Sequence, residues 1–198
     1  ATDGHRLALA TSELDKRSPI EGERQILPRK AVLELSKILR QENEDIKITF
    51  GNSSLSIQDK NLYFSTKLID GKFPDYEKVV PKSNSKVLSV DVKDFINSIE
   101  RVITVSIDRK EGVKITLEKD NIQLFVTSSS SGEGKETLSA NYNSENLTVS
   151  FNARYLLDIA SQLEDKNLTM NLNDAISPVL IQDKSDIQSY YVIMPMKI

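Results

Sequence analysis

The sequence predicts an α+β fold built from a repeated domain, and three observations predict it. Short amphipathic runs with helical spacing alternate with short strand-like runs closed by Asn, Asp and Gly turns. The tetrapeptide IQDK occurs at Ile57–Lys60 and returns at Ile181–Lys184, 124 residues later. Shifted by the same 124 residues, Val32, Leu33, Glu34, Leu35 and Leu39 fall on Leu156, Leu157, Asp158, Ile159 and Leu163. Element order agrees as well: strand, helix, then three strands, with a gap of about two residues after the helix. So long a period rules out a solenoid. The repeating unit is a whole domain, and its first copy here lacks its front part. The reading divides the chain into an incomplete domain over 1–80 and a complete one over 81–198.

The chain opens ATDGHRLALA, an Asp3-Gly4 turn leading into an alternating run. This is one arm of a hairpin whose partner is expected upstream of Ala1. A polar stretch, Ser12–Glu23, follows. RQILPRKAVLELSKILRQ reads as a short strand and then a helix, with Pro28 suited to the first helical position. At 100° per residue, Ala31, Val32, Leu35, Ile38 and Leu39 share one arc, while Arg29, Lys30, Lys37 and Arg40 share another. IKITF, SLSIQD and LYFSTKLI are strands, and Asp70–Lys86, with its prolines and glycine, is a connector.

The second half begins with the strand VLSVDV and the helix VKDFINSIERVITVS. GVKITLEKDNIQLFVTS is a hairpin turning at Lys119-Asp120-Asn121, and SSSSGEGKE reads as a flexible loop. TLSANY and LTVSF are strands, and NARYLLDIASQLED is a helix with Asn152 as its N-cap. LTMNL, PVLIQD and QSYYVIMPM close the chain.

Composition narrows the chemistry. Aromatics are only 6% and Trp is absent, so Leu, Ile and Val must form the core. With no Cys, disulfides, thiolate nucleophiles and thiolate zinc sites are excluded; with a single His the clustered ligands of a zinc centre are not in evidence, and no metal or other cofactor is expected. No run approaches the ~18 apolar residues of a membrane span. The formal charge of −3 argues against wholesale coating of nucleic acid but allows a local basic face. No Walker motif, G-x-S-x-G elbow or paired-carboxylate cluster is present.

Two stretches stand out. TDGHRLA presents His5 and Arg6 from a tight turn. Asp3 and His5 in an enzyme domain, or a purely structural β-rich domain, are the alternatives to a binding role. The end, YYVIMPMKI, stays apolar to the last residue although Pro195 stops ladder pairing. Chain ends are usually polar, and methionine suits a surface that accepts several peptides, so the tail reads as the floor of an apolar groove.

ATDGHRLALA, LPRKAVLEL, LIDGKFPDYEKVVP and YYVIMPMKI together resemble the bacterial DNA polymerase III beta subunit family, the replicative sliding clamps, along the whole chain. The resemblance implies repeated DNA-clamp domains with helices on the inner face of antiparallel sheets. Two copies would close head to tail into a homodimer ring around double-stranded DNA, held without sequence preference. It implies a non-catalytic, cytoplasmic processivity factor. Its partners would be the DNA polymerase III catalytic subunit, the clamp loader and other replication and repair proteins. These would dock short motifs, a Gln followed by apolar residues ending Leu-Phe, in a pocket between the second and third domains.

Carried over position by position, that pocket takes Thr2, Gly4, His5, Arg6 and Leu7 from the first arm. It takes Pro74, Lys78 and Val79 from the connector, and Ile176 and Pro178 from the segment before the second IQDK. The tail adds Val192, Ile193, Met194, Pro195, Met196, Lys197 and Ile198. Arg29, Lys30, Lys37 and Arg40 would face DNA. Thr104 and Val105 match the dimer interface, with Glu133 and Glu136 in the region of its acids. Lys78 stands where Arg is frequent, Pro178 replaces a small polar residue, and the tail reads MPMKI rather than MPMRL.

Overall fold

A computed structural model of the chain describes residues 1–13, 24–39, 46–106, 112–128 and 132–197. Along the chain these form β1 (Arg6–Ala10), α1 (Arg29–Ile38), β2 (Lys47–Phe50), β3 (Ser54–Asp59) and β4 (Leu62–Lys67). A 3-10 turn at Tyr76–Lys78 precedes β5 (Lys86–Asp91) and α2 (Val92–Val102), and a second, Ile103–Val105, follows that helix. Then come β6 (Gly112–Glu118), β7 (Asn121–Ser128), β8 (Gly132–Ser139), β9 (Asn141–Tyr142) and β10 (Leu147–Asn152). The last elements are α3 (Ala153–Ala160), β11 (Asn167–Leu172), β12 (Val179–Gln182) and β13 (Ser189–Ile193). Ala1–Glu13 and Tyr76–Ile198 form one compact unit, and Leu14–Asp75 forms another.

The larger unit is two strand–helix–three-strand halves that exchange their leading strands. The strand before α2, β5, pairs with β11, which follows α3. The strand before α3, β10, pairs with β6, which follows α2. The result is two antiparallel sheets, ordered β1-β13-β12-β11-β5-β9 and β10-β6-β7-β8. The two helices start alike. Asp91 Oδ1 accepts from the backbone N–H groups of Lys93 and Asp94, and Asn152 Oδ1 from those of Arg154 and Tyr155. Each side chain thereby satisfies two N–H groups that have no partner within the helix. Val92, Phe95 and Ile99 of α2 are buried at the same positions as Ala153, Leu156 and Ala160 of α3. This internal repeat of 61 residues carries almost no sequence identity.

One core joins both sheets and both helices. Alternate residues supply it: Val113, Ile115 and Leu117 from β6, Ile122, Leu124 and Val126 from β7, and Leu168, Met170 and Leu172 from β11 of the six-stranded sheet. The β6–β7 hairpin turns at Lys119–Asp120, where Asp120 has φ 62°, a conformation that short polar residues tolerate.

The smaller unit packs α1 on the meander β2-β3-β4 around Leu35, Leu55 and Ile57. The 124-residue repeat is visible in its register. Gln58 of β3 lies opposite Lys47, and Gln182 of β12 lies opposite Thr169. Lys47 and Thr169 are 122 apart, which is the two-residue gap. Buried Leu35, Leu55 and Ile57 correspond to buried Ile159, Val179 and Ile181.

Several local expectations need correction. SSSSGEGKE is not a flexible loop throughout: from Gly132 it is β8, paired with β7 from Ser128↔Gly132 to Asn121↔Ser139. Glycines usually mark loops, but here Gly134 permits close packing, since a Cβ there would sit 2.6 Å from the Val102 carbonyl oxygen. Arg24–Leu27 is not a strand, although the Ile26 carbonyl accepts from the Ile69 N–H. Pro28 is the N-cap of α1 rather than its first helical residue. Val32, expected on the apolar arc, is 49% exposed, and Ala31 and Leu35 carry the burial. The second and third helices end earlier than their apolar runs, at Val102 and Ala160.

Candidate functional site

The site begins at the turn before β1. Gly4, at φ +88°, lets the chain reverse there. Thr2 Oγ1 accepts from the Gly4 N–H and donates to the Arg6 carbonyl. Asp3 Oδ1 accepts from the backbone N–H groups of His5 and Arg6, at 3.1 and 3.0 Å. Burial pushes the Asp3 carboxyl pKa up, but these bonds and the Arg6 guanidinium outweigh it and hold it below its ordinary value. Asp3 therefore braces the turn through main-chain donors, and His5 is presented at its exposed tip.

From the turn the chain runs into β1, which pairs antiparallel with β13: Arg6↔Ile193, Leu7↔Val192, Ala8↔Tyr191. Successive residues of a strand face opposite sides, so Leu7 and Val192 share one face while Arg6 and Ile193 share the other. Ile193 belongs to the main core. Leu7 and Val192 are also buried, at 5% and 2% exposure, on the side away from it. Tyr190, opposite Leu9, lies on that same outer face. Its hydroxyl pKa is raised by burial first and then by the charges of Tyr76 and Glu77 in the first 3-10 turn.

The tail leaves β13 in a defined path. Met194 donates its N–H to the His5 carbonyl. After Pro195, which has no N–H to give, Met196 donates to the Ser150 carbonyl of β10 at 2.7 Å. A Cβ on Gly112 would meet the Met196 sulfur at 3.4 Å, so the Met196 side chain lies over the start of β6. Met194 and Met196 remain 37% and 38% exposed, and Val79 and Ile176 are exposed too. Between β11 and β12, Asp174 accepts from the Ser177 hydroxyl, the N–H groups of Ile176 and Ser177, and Asn173, which lowers its pKa to about 2. This braced loop presents Ile176. Next to it the Pro178 carbonyl accepts from the Asn84 amide.

Arg6 carries the arm to α3. Its Nη1 donates to Asp158 Oδ2 at 2.7 Å and its Nε to Asp3 Oδ2 at 3.0 Å, while its guanidinium carbon stands 4.1 Å from the centroid of the Tyr155 ring. Burial alone would lower the Arg6 pKa, but Asp158 and Asp3 raise it.

Two family descriptions match the chain: "DNA polymerase III beta subunit, C-terminal domain" over residues 77–197, and "DNA polymerase III beta subunit, central domain" over residues 1–75. The chain belongs to the DNA polymerase III beta subunit family. A beta sliding clamp of Haemophilus influenzae is 36% identical over 198 residues, and that of Escherichia coli is 30% identical. Both alignments span all of this chain and 54% of the relative, so the chain has about half the length of the curated beta subunits it matches. Among solved structures, a sliding clamp (DNA polymerase III subunit beta) of Bartonella birtlesii bound to griselimycin matches with a TM-score of 0.94 and 40% identity. It too is covered over 54% of its length, with all of this chain aligned.

The larger unit holds most of the residues carried over from the beta-subunit resemblance: Thr2 and Gly4–Leu7 on the arm, Val192–Lys197 on the strand paired with it and the tail, Ile176 and Pro178 between β11 and β12, and Lys78 and Val79 at the first 3-10 turn. Ile198 and Arg40 lie outside the described residues. Pro74 belongs to the smaller unit.

Arg29, Lys30 and Lys37 are exposed on α1, with Lys37 Nζ paired to Glu34 at 3.0 Å. Thr104 is exposed in the second 3-10 turn, and its hydroxyl donates to the Arg101 carbonyl. Val105 packs partly on the core. Glu133 is exposed on β8, and Glu136 on the same strand accepts from Arg101 Nε at 2.9 Å.

Sequence reasoning did not mark Tyr155 and Asp158 as part of this surroundings. Their side chains lie far along the chain from Arg6, and nothing local to NARYLLDIA signals the contact. Among the described residues no helix is long and apolar enough to cross a membrane, and no cluster of His, Asp or Glu could hold a metal ion.

Proposed function

We propose that this chain serves in a sliding clamp, with residues 1–80 as the later part of the middle domain and 81–198 as the last domain. In a closed homodimer it would encircle duplex DNA. Retention on DNA then comes from topology, and α1 offers Arg29, Lys30 and Lys37 for loose, sequence-independent phosphate contact. The protein would make and break no bonds itself. The use of Asp3 as a backbone acceptor favours a braced turn over a base paired with His5.

The docking of polymerase, clamp loader and repair proteins is assigned to the arm, tail and loop of the larger unit. The observation that carries this reading is the β1–β13 pairing. It sets Leu7 beside Val192 and ties Met194 to His5, and Met194, Met196, Val79 and Ile176 of the same unit are exposed. Soft apolar side chains around a few fixed polar groups suit a short peptide with aliphatic and aromatic anchors. Lys78 and Lys197 offer point charges rather than the bidentate fork of Arg.

Calorimetric titration with a Gln-Leu-x-Leu-Phe peptide tests this. Saturable binding is expected for the chain and its loss for a variant ending at Pro195, with unfolding of the two proteins superimposable. Equal binding by both would refute the assignment.

A further inference from the structure

We propose that Asp158 is a positioning residue of the peptide site, acting through Arg6 to hold the Thr2–Leu7 turn in its binding shape. The inference rests on the peptide-site reading above.

Arg6 and Leu7 are adjacent in β1, so one faces α3 and the other faces the outer surface. Whatever fixes Arg6 from behind fixes the pose of Leu7 in front. The ladder with β13 sets the strand from Arg6 to Ala10, and Met194 adds one bond at His5. The turn at Thr2–Gly4 lies beyond it. Main-chain bonds between Ala1 and Ala8 and from the Asp3 N–H to the Arg6 carbonyl close it, Thr2 Oγ1 and Asp3 Oδ1 brace its inside, and Asp3 in turn is bonded by Arg6 Nε.

Arg6 is therefore the joint between turn and helix, and it is held at three points: Asp3, Asp158 and the Tyr155 ring. A planar guanidinium meets all three in one orientation, which a lysine could not do. Asp158 is the fixed end. It sits on α3, whose N-terminus is capped by Asn152 and whose Ala153, Leu156, Ile159 and Ala160 are buried. The side chains of Arg6 and Asp158 are 28% and 48% exposed. A pair so open to solvent adds little to global stability. Its removal should show in binding and in the mobility of the turn instead.

The test is a double-mutant cycle on the whole chain with Asp158→Asn and Arg6→Ala, read by titration with the Gln-Leu-x-Leu-Phe peptide. Asp158→Asn should weaken binding about three- to tenfold, have no further effect in the Arg6→Ala background, and leave the denaturation midpoint unchanged. Asp158→Glu should recover part of the affinity. Wild-type affinity in Asp158→Asn, or the same loss in both backgrounds, would overturn the proposal.

If the unaltered chain binds no such peptide, the peptide-site reading fails separately. Amide hydrogen exchange at Gly4, His5 and Arg6 then decides the clamp: faster exchange in Asp158→Asn supports it, and unchanged exchange overturns it.

Discussion

Met194 donates its backbone N–H to the carbonyl of His5 at 2.9 Å, so opposite ends of the chain meet on neighbouring strands. The first residues fold with the last ones, and the outer face they build is apolar at Leu7 and Val192. Leu7→Ala should therefore cost about 2–4 kcal/mol in denaturant unfolding of the larger unit. Ala8→Ser, at an exposed position on the same strand, should stay within about 0.5 kcal/mol. Equal effects would mean that the arm is not anchored by burial of Leu7.

Gly134 marks where α2 presses on β8. An added methyl would meet the Val102 carbonyl oxygen at 2.6 Å, and backbone on both sides leaves little room to yield. Gly134→Ala should destabilise the larger unit by about 1–3 kcal/mol. A neutral outcome by chemical denaturation would show that helix and strand are less closely packed than described.

The two halves of the larger unit use one capping device with two residues. Asp91→Ala and Asn152→Ala should each cost about 1 kcal/mol. Asp91→Asn should be close to neutral, because the other half already uses Asn in this place. A large loss in Asp91→Asn would show that charge, rather than hydrogen bonding, holds the start of α2.

Asp174 makes the loop carrying Ile176 sensitive to acid. Its folded-state pKa is lowered from 3.8 to about 2, chiefly by the Ser177 hydroxyl. The unfolded chain thus takes up the proton first as pH falls. The stabilisation is present above pH 4 and is lost between about pH 4 and 2. Following the unfolding midpoint over that interval should show a smaller decline in Asp174→Asn than in the unaltered chain. Parallel declines would contradict the assignment of this loop's bonds.

Much of this architecture is legible in the residues. The alternation of GVKITLE and NIQLFVTS marks β6 and β7, the polar pair Lys119–Asp120 marks their turn, and Asn152 caps its helix as its chemistry suggests. IQDK betrays the long repeat because identity survives in a hairpin. The shorter repeat, Asp91 onto Asn152, stayed hidden because it keeps only cap chemistry and burial. β8 was obscured by Ser and Gly, which signal loops by composition while Gly134 answers a packing need set by α2. Val32 looked buried on a helical wheel, but which part of an apolar arc is covered depends on its neighbours. In the candidate site, the turn, arm and tail carry strong local signals. Tyr155 and Asp158 carry none, because their role arises from the pairing of distant strands.

If the arm and tail of the larger unit form one surface for short apolar peptides, amide chemical-shift mapping of the isotope-labelled chain, titrated with the Gln-Leu-x-Leu-Phe peptide, will reveal it. Perturbations are then expected only at Thr2–Leu7, Lys78–Val79, Ile176–Val179 and Val192–Lys197. Shifts centred on α1 or on β6–β8, or none at saturating peptide, would contradict it.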